Sequence, residues 1–385
     1  MKRKKEIQVL YIITRLDLGG AQKVCLSLVS GLRINGIPAK LISGTEGQLT
    51  PKVAAIPDIH LLKDFRHSVS PLGLLTDLRC FTHLISIMRK LKKQYPHLIV
   101  HTHSTKAGIM GRWAAFFAGI KTRVHTVHGY AFHSHQNRFI TFCIYLLELF
   151  TSFITSHFIC VSSRDVKKGI NCFPFFRKKH SIIRAAIDWK RFYQPSYKGN
   201  PFPQKTDSFV FGTISCFKKQ KNLFDLLKAF EYVYEKNPNT RLELIGDGSL
   251  RAVLEKWIKE HNIDNAVILH GWQYDVLPII KLWHCLVLSS LWEGLPCTII
   301  EARLQRLPVI SYNTNGIPEV IMNGENGLIY QQKDWHGLAQ GMLTISQDQK
   351  LYTKLKSYND NLHDFNDQHM VQQHIDLYKE LVRQK

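Results

Sequence analysis

Short apolar runs rich in β-branched and aromatic residues alternate with segments of helical periodicity along most of the chain. In the first half, the runs that predict strands are 8–14, 39–44, 98–103, 123–129, 157–162 and 181–187. Helical periodicity is found at 21–33, 76–94, 106–118 and 138–154. Strands that alternate with helices indicate βαβ units and parallel sheets, so the pattern predicts an α/β fold.

The alternation stops in DWKRFYQPSYKGNPFPQKTD (188–207), which has three prolines and no apolar period, and then resumes. The later predicted strands are 209–217, 241–248, 267–271, 285–290, 308–311 and 327–330, and the predicted helices are 222–235, 249–261, 275–282, one from about 297, and 333 to the end. We therefore predict two Rossmann-like, doubly wound domains at 1–190 and 208–365, a linker at 191–207, and a C-terminal helix at 366–385 that packs back on the first domain. In such a fold the carboxyl ends of the two sheets face a cleft.

Composition agrees with two globular domains, since 385 residues exceed one ordinary core and 45% of them are hydrophobic. The eight cysteines form no CxxC pair, which argues for reduced thiols in a cytosolic protein and against a zinc site or a disulfide framework. The basic start runs directly into a strand pattern, so we expect no signal peptide. The apolar run 139–161 contains Glu148 and His157, and we predict a buried or interfacial helix followed by a strand rather than a transmembrane helix.

The formal charge of +21 predicts an anionic partner. Basic residues are dispersed, and no aromatic-studded basic motif of a nucleic-acid-binding module is found, so an anionic membrane surface is the better prediction. Helix LISIMRKLKKQY (84–95) mixes apolar and basic residues and is a candidate interfacial helix. The alternative is an amphipathic helix that packs on the sheet with a solvated basic face.

Several segments between a strand and the following helix contain residues that could bind a ligand or take part in catalysis. RLDLGGAQ (15–22) places two glycines at a helix start, where an anion or simply a tight turn fits, but the segment lacks the GxGxxG pattern of a dinucleotide site. HTHSTKAGIMGR (101–112) and RVHTVHGYAFHSH (123–135) are rich in histidine. Alternation puts His101 and His103 on one face of a strand, yet no carboxylate or cysteine ligand lies near them, so we expect no metal. His128, beside a glycine, is a candidate for hydrogen bonding a substrate hydroxyl, or else a structural histidine.

Two segments of the second half point to a phosphorylated, hydroxyl-rich ligand. CFKKQKN (216–222) brings lysines to the carboxyl end of a strand, where they contact phosphate or only solvent. In SSLWEGLPCTIIE (289–301), two glutamates separated by seven residues flank a predicted helix start. From this segment alone, the two glutamates could be surface charges, an acid/base pair, or two carboxylates that bind hydroxyls along one extended ligand.

Taken together, the chain resembles the retaining nucleotide-sugar glycosyltransferases of family four, which have the GT-B fold. The strongest part is SSLWEGLPCTIIEARLQRLPVISYNTNGIPEVIMNGENGLI (289–329), which is similar to the family's E-x7-E donor signature. The segments RLDLGGAQ, HTHSTKAGIMGR, TVHGYAFH, FICVSS, CFKKQKN and LIGDGSL support it over essentially the whole length. The histidine-rich segments are most similar to bacterial enzymes of capsule, O-antigen or lipopolysaccharide synthesis.

The resemblance implies a role for each matched residue. Glu301 would hold the ribose hydroxyls of the donor, and Glu293 the hydroxyls of the donor sugar. The Gly294 and Leu295 amides would contact the sugar or β-phosphate, and Lys221 would neutralise the departing diphosphate. Further implied donor contacts are Gly19, Gly20, Lys218 and Gly246, implied acceptor contacts are Gly20, His103, Ser104 and Lys106, and the implied catalytic residues are His128, Glu293 and Lys221.

The sequence departs from the family pattern at two places. Cys216 stands where the family often has arginine, which leaves the phosphate contacts to Lys218 or Lys219, and RAAID (184–188) lacks the glycine of the usual NG(I/V)D. The resemblance implies transfer of a sugar from a UDP-sugar to a lipid-linked saccharide, with retention, without metal or cofactor, on the inner face of the cytoplasmic membrane. The alternatives are a GT-B sugar-nucleotide epimerase, a nucleic-acid-binding protein and a catalytically inactive scaffold.

Overall fold

The computed structural model describes residues 7–66, 73–132, 136–204 and 207–384, which form two compact α/β units. The first unit is Met1–Ala186 with Asp364–Lys385, and the second is Ile187–His363. The elements of the first unit are β1 (Ile7–Ile12), α1 (Gly20–Ile34), β2 (Ala39–Gly44), α2 (Thr50–Val53), β3 (Ile59–Leu62), α3 (Gly73–Gln94), β4 (His97–His103), α4 (Thr105–Phe117), β5 (Thr122–Val127), α5 (Arg138–Ile154), β6 (His157–Cys160), α6 (Ser163–Cys172) and β7 (His180–Ile182). Those of the second are α7 (Trp189–Phe192), β8 (Phe209–Ile214), α8 (Leu223–Lys236), β9 (Thr240–Ile245), α9 (Arg251–Glu260), β10 (Val267–Gly271), α10 (Leu277–Ile280), β11 (Cys285–Leu288), α11 (Cys297–Leu304), β12 (Val309–Tyr312), β13 (Gly327–Tyr330), α12 (Trp335–Gln347) and α13 (Gln349–Ser357). The last helix, α14 (Asp367–Arg383), belongs to the first unit.

Each unit has one wholly parallel sheet. The first sheet has seven strands in the order β3-β2-β1-β4-β5-β6-β7, and the second has six in the order β10-β9-β8-β11-β12-β13. In both, the order reverses at the first strand of the unit, so each sheet is doubly wound. Continuously apolar central strands such as β11 and β12 are buried along their whole length, because helices cover both faces of a parallel sheet.

The predicted α/β class, the two doubly wound parallel sheets and the C-terminal helix that returns to the first unit are confirmed. A side chain at Gly31 of α1 would overlap Val371 of α14, and the Tyr378 hydroxyl of α14 lies 2.8 Å from that of Tyr11 in β1. The structure groups 191–207, which we predicted as a linker, with the second unit, where Asn200 Nδ2 donates to the Lys281 carbonyl at 2.7 Å. The unit boundaries fall after residues 186 and 363.

The differences from the predicted elements lie where local pattern is weak. The four residues of β3 form a half-exposed edge strand and were not predicted, because His60 interrupts its short apolar run. The predicted helix at 275–282 is only the single turn α10, and 358–362 interrupts the predicted helical C-terminus.

The apolar run 139–161 is a helix followed by a strand, α5 and β6, as predicted. Within the described residues, no helix combines the length and the apolar character that a membrane crossing requires. The basic start at residues 1–6 and the histidine-containing 133–135 lie outside the described residues.

Candidate functional site

In the second unit, the candidate donor residues follow neighbouring strands. β8 pairs with β11, and β11 pairs with β12, so the loops after these three strands meet at one edge of the sheet. The loop after β8 leads through a 3-10 turn at Lys219–Lys221 into α8, and the loop after β11 leads into α11. This edge therefore brings the CFKKQKN and EGLPCTIIE segments together.

Lys221 and Glu293 form an ion pair at the centre of this edge. The Lys221 ammonium lies 2.5 Å from Glu293 Oε1, and the two side chains are only 16% and 9% exposed. Two hydrogen bonds hold the two loops together: the Leu291 amide donates to the Gln220 carbonyl, and Ser289 Oγ donates to the Lys221 carbonyl, both at 2.9 Å. Because the pair is largely shielded from solvent, its charges are screened less than those of a surface pair.

The Gly294–Leu295 segment is fixed from the other side by the loop after β12. The Gly316 amide donates to the Gly294 carbonyl at 3.0 Å, and Asn315 Nδ2 donates to the Glu293 carbonyl. A Cβ on Gly316 would lie 2.7 Å from the Gly294 carbonyl oxygen, so only glycine permits this approach. The backbone just after Glu293 is thus positioned by hydrogen bonds from the loop after β12.

Glu301 lies in the second turn of α11 and is 2% exposed. It is therefore not a solvated helix-surface charge, which was one of the open interpretations of the E-x7-E segment. Glu293 lies in the loop before the same helix, so both carboxylates belong to one continuous segment. Two carboxylates on one segment suit an extended ligand better than an acid/base pair acting across one bond.

The glycine of LIGDGSL has a structural explanation. Gly246 follows β9 with φ +128°, and a Cβ there would overlap the Ser215 carbonyl oxygen. The Phe217 amide donates to the Asp247 carbonyl at 2.8 Å, which attaches this turn to the start of the CFKKQKN loop. Lys218, in the same loop, is exposed. The donor contacts predicted for Gly246 and Lys218 stay predictions.

In the first unit, the candidate residues lie at the carboxyl ends of β1, β4 and β5, which are neighbours in the sheet. Gly19 caps α1 in an extended conformation and Gly20 is the first residue of that helix. His103 ends β4, and His128 directly follows β5. A cavity of about 40 Å³ beside them is lined by residues that include Ser104 and Glu148. It is large enough for a water molecule or a single polar group.

His103 and His128 form a hydrogen-bonded, stacked pair. His103 Nδ1 lies 2.9 Å from His128 Nε2, and the ring centroids are 5.2 Å apart. Burial and the neighbouring imidazoles hold the pKa of His103 well below its ordinary value, and burial lowers the pKa of His128 to about 4. Both rings are therefore neutral at physiological pH, so one nitrogen of the shared bond donates and the other accepts.

The histidine stack continues away from this pair into the C-terminal helix. The His101 and His103 rings share one strand face, as predicted, with centroids 4.6 Å apart, and His374 of α14 stacks on His101 at 5.7 Å. His101 lies between two hydroxyls, with Nδ1 2.5 Å from Tyr378 Oη and Nε2 2.7 Å from Thr126 Oγ1. The C-terminal helix thus supports the histidines from behind.

Two predicted acceptor residues have clear roles in the fold. Ser104 caps α4 at φ +62°, and its Oγ lies 2.7 Å from Thr14 Oγ1 in the loop after β1. The Lys106 ammonium lies 2.7 Å from Asp77 Oδ1 on α3. These contacts give a structural reason for both residue types, and their acceptor contacts stay predictions.

A buried ion pair behind the histidines was not predicted. Arg112 of α4 is 0% exposed, and its Nη2 lies 2.7 Å from Glu148 Oε2 of α5. Arg112 also donates to the Gly108 carbonyl at 2.7 Å and to Thr155 Oγ1 at 2.9 Å. The one available signal was a glutamate inside a strongly apolar helix, because such a charge requires a partner.

Within the described part of the chain, no group of three or more His, Cys, Asp or Glu residues is arranged to hold a metal ion. His101 and His103, the HxH pair considered for metal binding, instead stack and hydrogen bond to neighbouring side chains. The expectation that the reaction needs no metal stays a prediction.

Comparisons with known proteins identify the family of the chain. Residues 18–191 match the family model described as "Glycosyltransferase Family 4", and residues 199–362 match "Glycosyl transferases group 1". The chain is 30% identical over 388 residues, covering 99% of it and 98% of the relative, to the Escherichia coli UDP-Gal:alpha-D-GlcNAc-diphosphoundecaprenol alpha-1,3-galactosyltransferase. It is 25% identical to a Staphylococcus aureus capsular polysaccharide biosynthesis glycosyltransferase, over 73% of this chain and 74% of that one.

Among solved structures, Anabaena HepE, crystallised with UDP and glucose, superposes with a TM-score of 0.80 at 18% identity and covers 97% of this chain and 100% of its own. Two doubly wound parallel sheets with this topology define the GT-B class of glycosyltransferases. Within that class, the chain belongs to glycosyltransferase family 4, as the full-length relative at 30% identity shows. The resemblance noted in the sequence is thereby confirmed.

Proposed function

We propose that this glycosyltransferase moves a sugar from a UDP-sugar to a lipid-linked saccharide, with retention at the anomeric carbon, during synthesis of a cell-surface polysaccharide. The full-length E. coli relative is named as acting from UDP-Gal on a GlcNAc-diphosphoundecaprenol, and a second relative is named for capsular polysaccharide biosynthesis. The observation that carries the proposal is the shielded Lys221–Glu293 pair beside the Gly294–Leu295 backbone, with buried Glu301 in the second turn of the helix that follows. This arrangement suits a ligand with hydroxyls at both ends and phosphates between them.

The chemistry follows from where charge develops. As the bond between the anomeric carbon and the β-phosphate oxygen breaks, its electron pair stays on the diphosphate. Lys221 stabilises that charge, and the amides of Gly294 and Leu295 add hydrogen bonds to it. The acceptor hydroxyl attacks from the same face and its proton passes to the leaving phosphate. Glu293 holds the sugar hydroxyls and keeps Lys221 in place, so no protein nucleophile is required.

The proposal is tested by incubating the enzyme with radiolabelled UDP- and GDP-sugars and membrane extracts, and measuring label in the lipid fraction. We expect transfer from a UDP-sugar only. Absence of transfer from every donor opposes the proposal. Conversion of the donor to a different sugar nucleotide without acceptor would instead identify an epimerase, and a salt-dependent gel shift with DNA or RNA would identify a nucleic-acid-binding protein.

Glu301→Ala is expected to weaken UDP binding about 10- to 100-fold, because a carboxylate that accepts two ribose hydroxyls contributes charge-assisted hydrogen bonds. Isothermal titration with UDP measures the effect, and Glu260→Ala, on the exposed side of α9, is the matched control. Glu301→Gln keeps the shape of the buried side chain if the alanine variant fails to fold. Unchanged UDP affinity in a folded Glu301 variant would remove the basis of the donor assignment.

For the His103–His128 pair, we propose that His103 sets the tautomer of His128. His103 Nε2 is buried and has no protein partner among the described residues, so a proton there would be an unsatisfied donor. The proton is therefore better placed on Nδ1, which donates to His128 Nε2. His128 then carries its own proton on Nδ1 and offers a neutral N–H donor, which suits contact with a sugar hydroxyl.

His103→Leu is expected to lower kcat about tenfold with a smaller effect on KM, because His128 loses the partner that fixes its tautomer. His103→Asn should recover most of the activity, since the asparagine amide nitrogen can replace Nδ1 as donor. The ¹⁵N chemical shifts of the His128 ring report the tautomer directly. Equal loss in both variants, with the His128 tautomer unchanged, would show that His103 has only a structural role.

A further inference from the structure

Helix α5 differs from an ordinary surface helix, because polar residues lie on its buried side and apolar residues on its exposed side. Its buried residues are Glu148, Thr151 and Ser152, all polar. Apart from Arg138, its first residue, the exposed side chains of α5 are apolar: Phe139 (73% exposed), Ile140 (51%), Phe142 (55%), Leu147 (52%), Phe150 (58%) and Phe153 (54%). A surface helix normally directs its apolar stripe to the core, so this arrangement requires a different surrounding on the outer side.

The orientation of α5 is fixed by specific polar contacts with α4. Glu148 pairs with buried Arg112, and the Trp113 indole donates to Thr151 Oγ1 at 3.0 Å. Rotating the helix to bury its phenylalanines would leave the buried Arg112 guanidinium without its carboxylate, which is strongly unfavourable. The apolar side therefore stays outward.

The neighbouring end of α4 extends the same apolar surface. Phe116 and Phe117 are 44% and 53% exposed, and both rings contact Trp113, with centroids 5.8 and 6.0 Å away. We call the eight exposed apolar residues of the two helices the aromatic face; they are Phe116, Phe117, Phe139, Ile140, Phe142, Leu147, Phe150 and Phe153.

Cationic side chains border the aromatic face. The Arg123 guanidinium lies 5.5 Å from the centre of the Phe116 ring and also donates to the Ile154 carbonyl at the end of α5. Arg89 of α3 donates to the Phe117 carbonyl at 3.3 Å. Between residues 138 and 154, the sole acidic residue is Glu148, and it is buried. A surface that is apolar in the middle, basic at its border and free of exposed acids complements an anionic lipid bilayer.

We propose that the aromatic face lies in the interfacial region of an anionic bilayer, with Arg89 and Arg123 at the headgroup phosphates. The proposal deepens the proposed function, since it rests on a lipid-linked acceptor that is itself held in a membrane. The sequence suggests the helix at 84–95 as the one that inserts into the bilayer. In the structure this segment is part of α3, which buries Leu84, Met88 and Leu91 in the core and leaves its basic side exposed. α3 thus contributes cations, and α5 contributes the inserted side chains.

The test is co-sedimentation with vesicles of phosphatidylcholine alone or mixed with phosphatidylglycerol, using the full chain without donor or acceptor. The wild type should bind the anionic vesicles, and Phe139→Ser/Phe142→Ser/Phe150→Ser should bind at least about tenfold more weakly. The matched control is Val253→Ser/Ile268→Ser/Leu282→Ser, which removes three exposed apolar side chains from the second unit. Arg89→Gln should weaken binding only to the anionic vesicles.

Titration with UDP in the same samples separates this proposal from the proposed function, because donor binding involves none of the substituted residues. Loss of vesicle binding in the phenylalanine variant, with UDP affinity and thermal unfolding unchanged, supports the inference. No binding of the wild type, or equal binding by the variant, overturns it. A wild-type dimer that becomes monomeric in the variant while vesicle binding persists would also overturn it, and would assign the aromatic face to a second copy of the chain.

Discussion

Lys221→Ala is expected to lower kcat about 100- to 1,000-fold, because the variant loses the cation that stabilises the departing diphosphate. The ammonium lies 2.5 Å from Glu293 Oε1 and is 16% exposed, so its charge acts in a site that solvent screens weakly. The chemical step loses most, since the diphosphate gains charge only as the sugar leaves. UDP affinity should fall less than kcat, and steady-state transfer together with UDP titration measures both.

The control for this experiment is Lys228→Ala, which removes an exposed cation from α8, the helix that follows the same loop. We expect at most a severalfold change there, because an exposed charge is screened by water and salt. Since Lys221→Ala also leaves Glu293 without its cation, Lys221→Ala/Glu293→Gln separates the two effects. If the double variant regains wild-type kcat, the lysine serves only to neutralise the glutamate and the proposed role is wrong.

Glu148→Ala is expected to destabilise the first unit by about 3–5 kcal/mol, because it leaves the buried Arg112 guanidinium without its carboxylate. Arg112 is 0% exposed and would keep only its neutral acceptors, the Gly108 carbonyl and Thr155 Oγ1. Urea unfolding is followed by pulsed hydrogen exchange of the α4 and α5 amides, because six of the seven tryptophans lie in the second unit and fluorescence would report mainly on that unit.

Two further variants identify the cause. Glu260→Ala removes one partner of the exposed Lys256–Glu260 pair, and we expect a change within about 0.5 kcal/mol. Arg112→Met/Glu148→Leu replaces both buried charges by apolar side chains and should recover most of the lost stability. A Glu148→Ala midpoint close to that of the wild type would show that Arg112 finds other compensation.

Much of the fold was predictable because the strands of a parallel sheet are buried on both faces. That burial favours apolar runs, and such runs predicted β2 and β11. The half-exposed edge strands β10 and β13 were also predicted, because each has three consecutive apolar residues close to a glycine. The edge strand β3 was missed because His60 interrupts its short apolar run, and α10 was predicted too long because a single turn has no period. The E-x7-E segment was recognisable because both of its carboxylates lie on one short piece of chain.

The amino-acid sequence by itself determined the α/β class, the two doubly wound sheets and the family, since these follow from local periodicity and from short motifs. Tertiary structure alone decided that Lys221 pairs with Glu293, 72 residues away, and that His103 bonds to His128, because strand order brings those segments together. It also decided which side of α5 faces outward. The sequence predicted a buried or interfacial helix at this position, but its orientation depends on Arg112 of the neighbouring helix, whose buried guanidinium pairs with Glu148 and leaves the phenylalanines exposed.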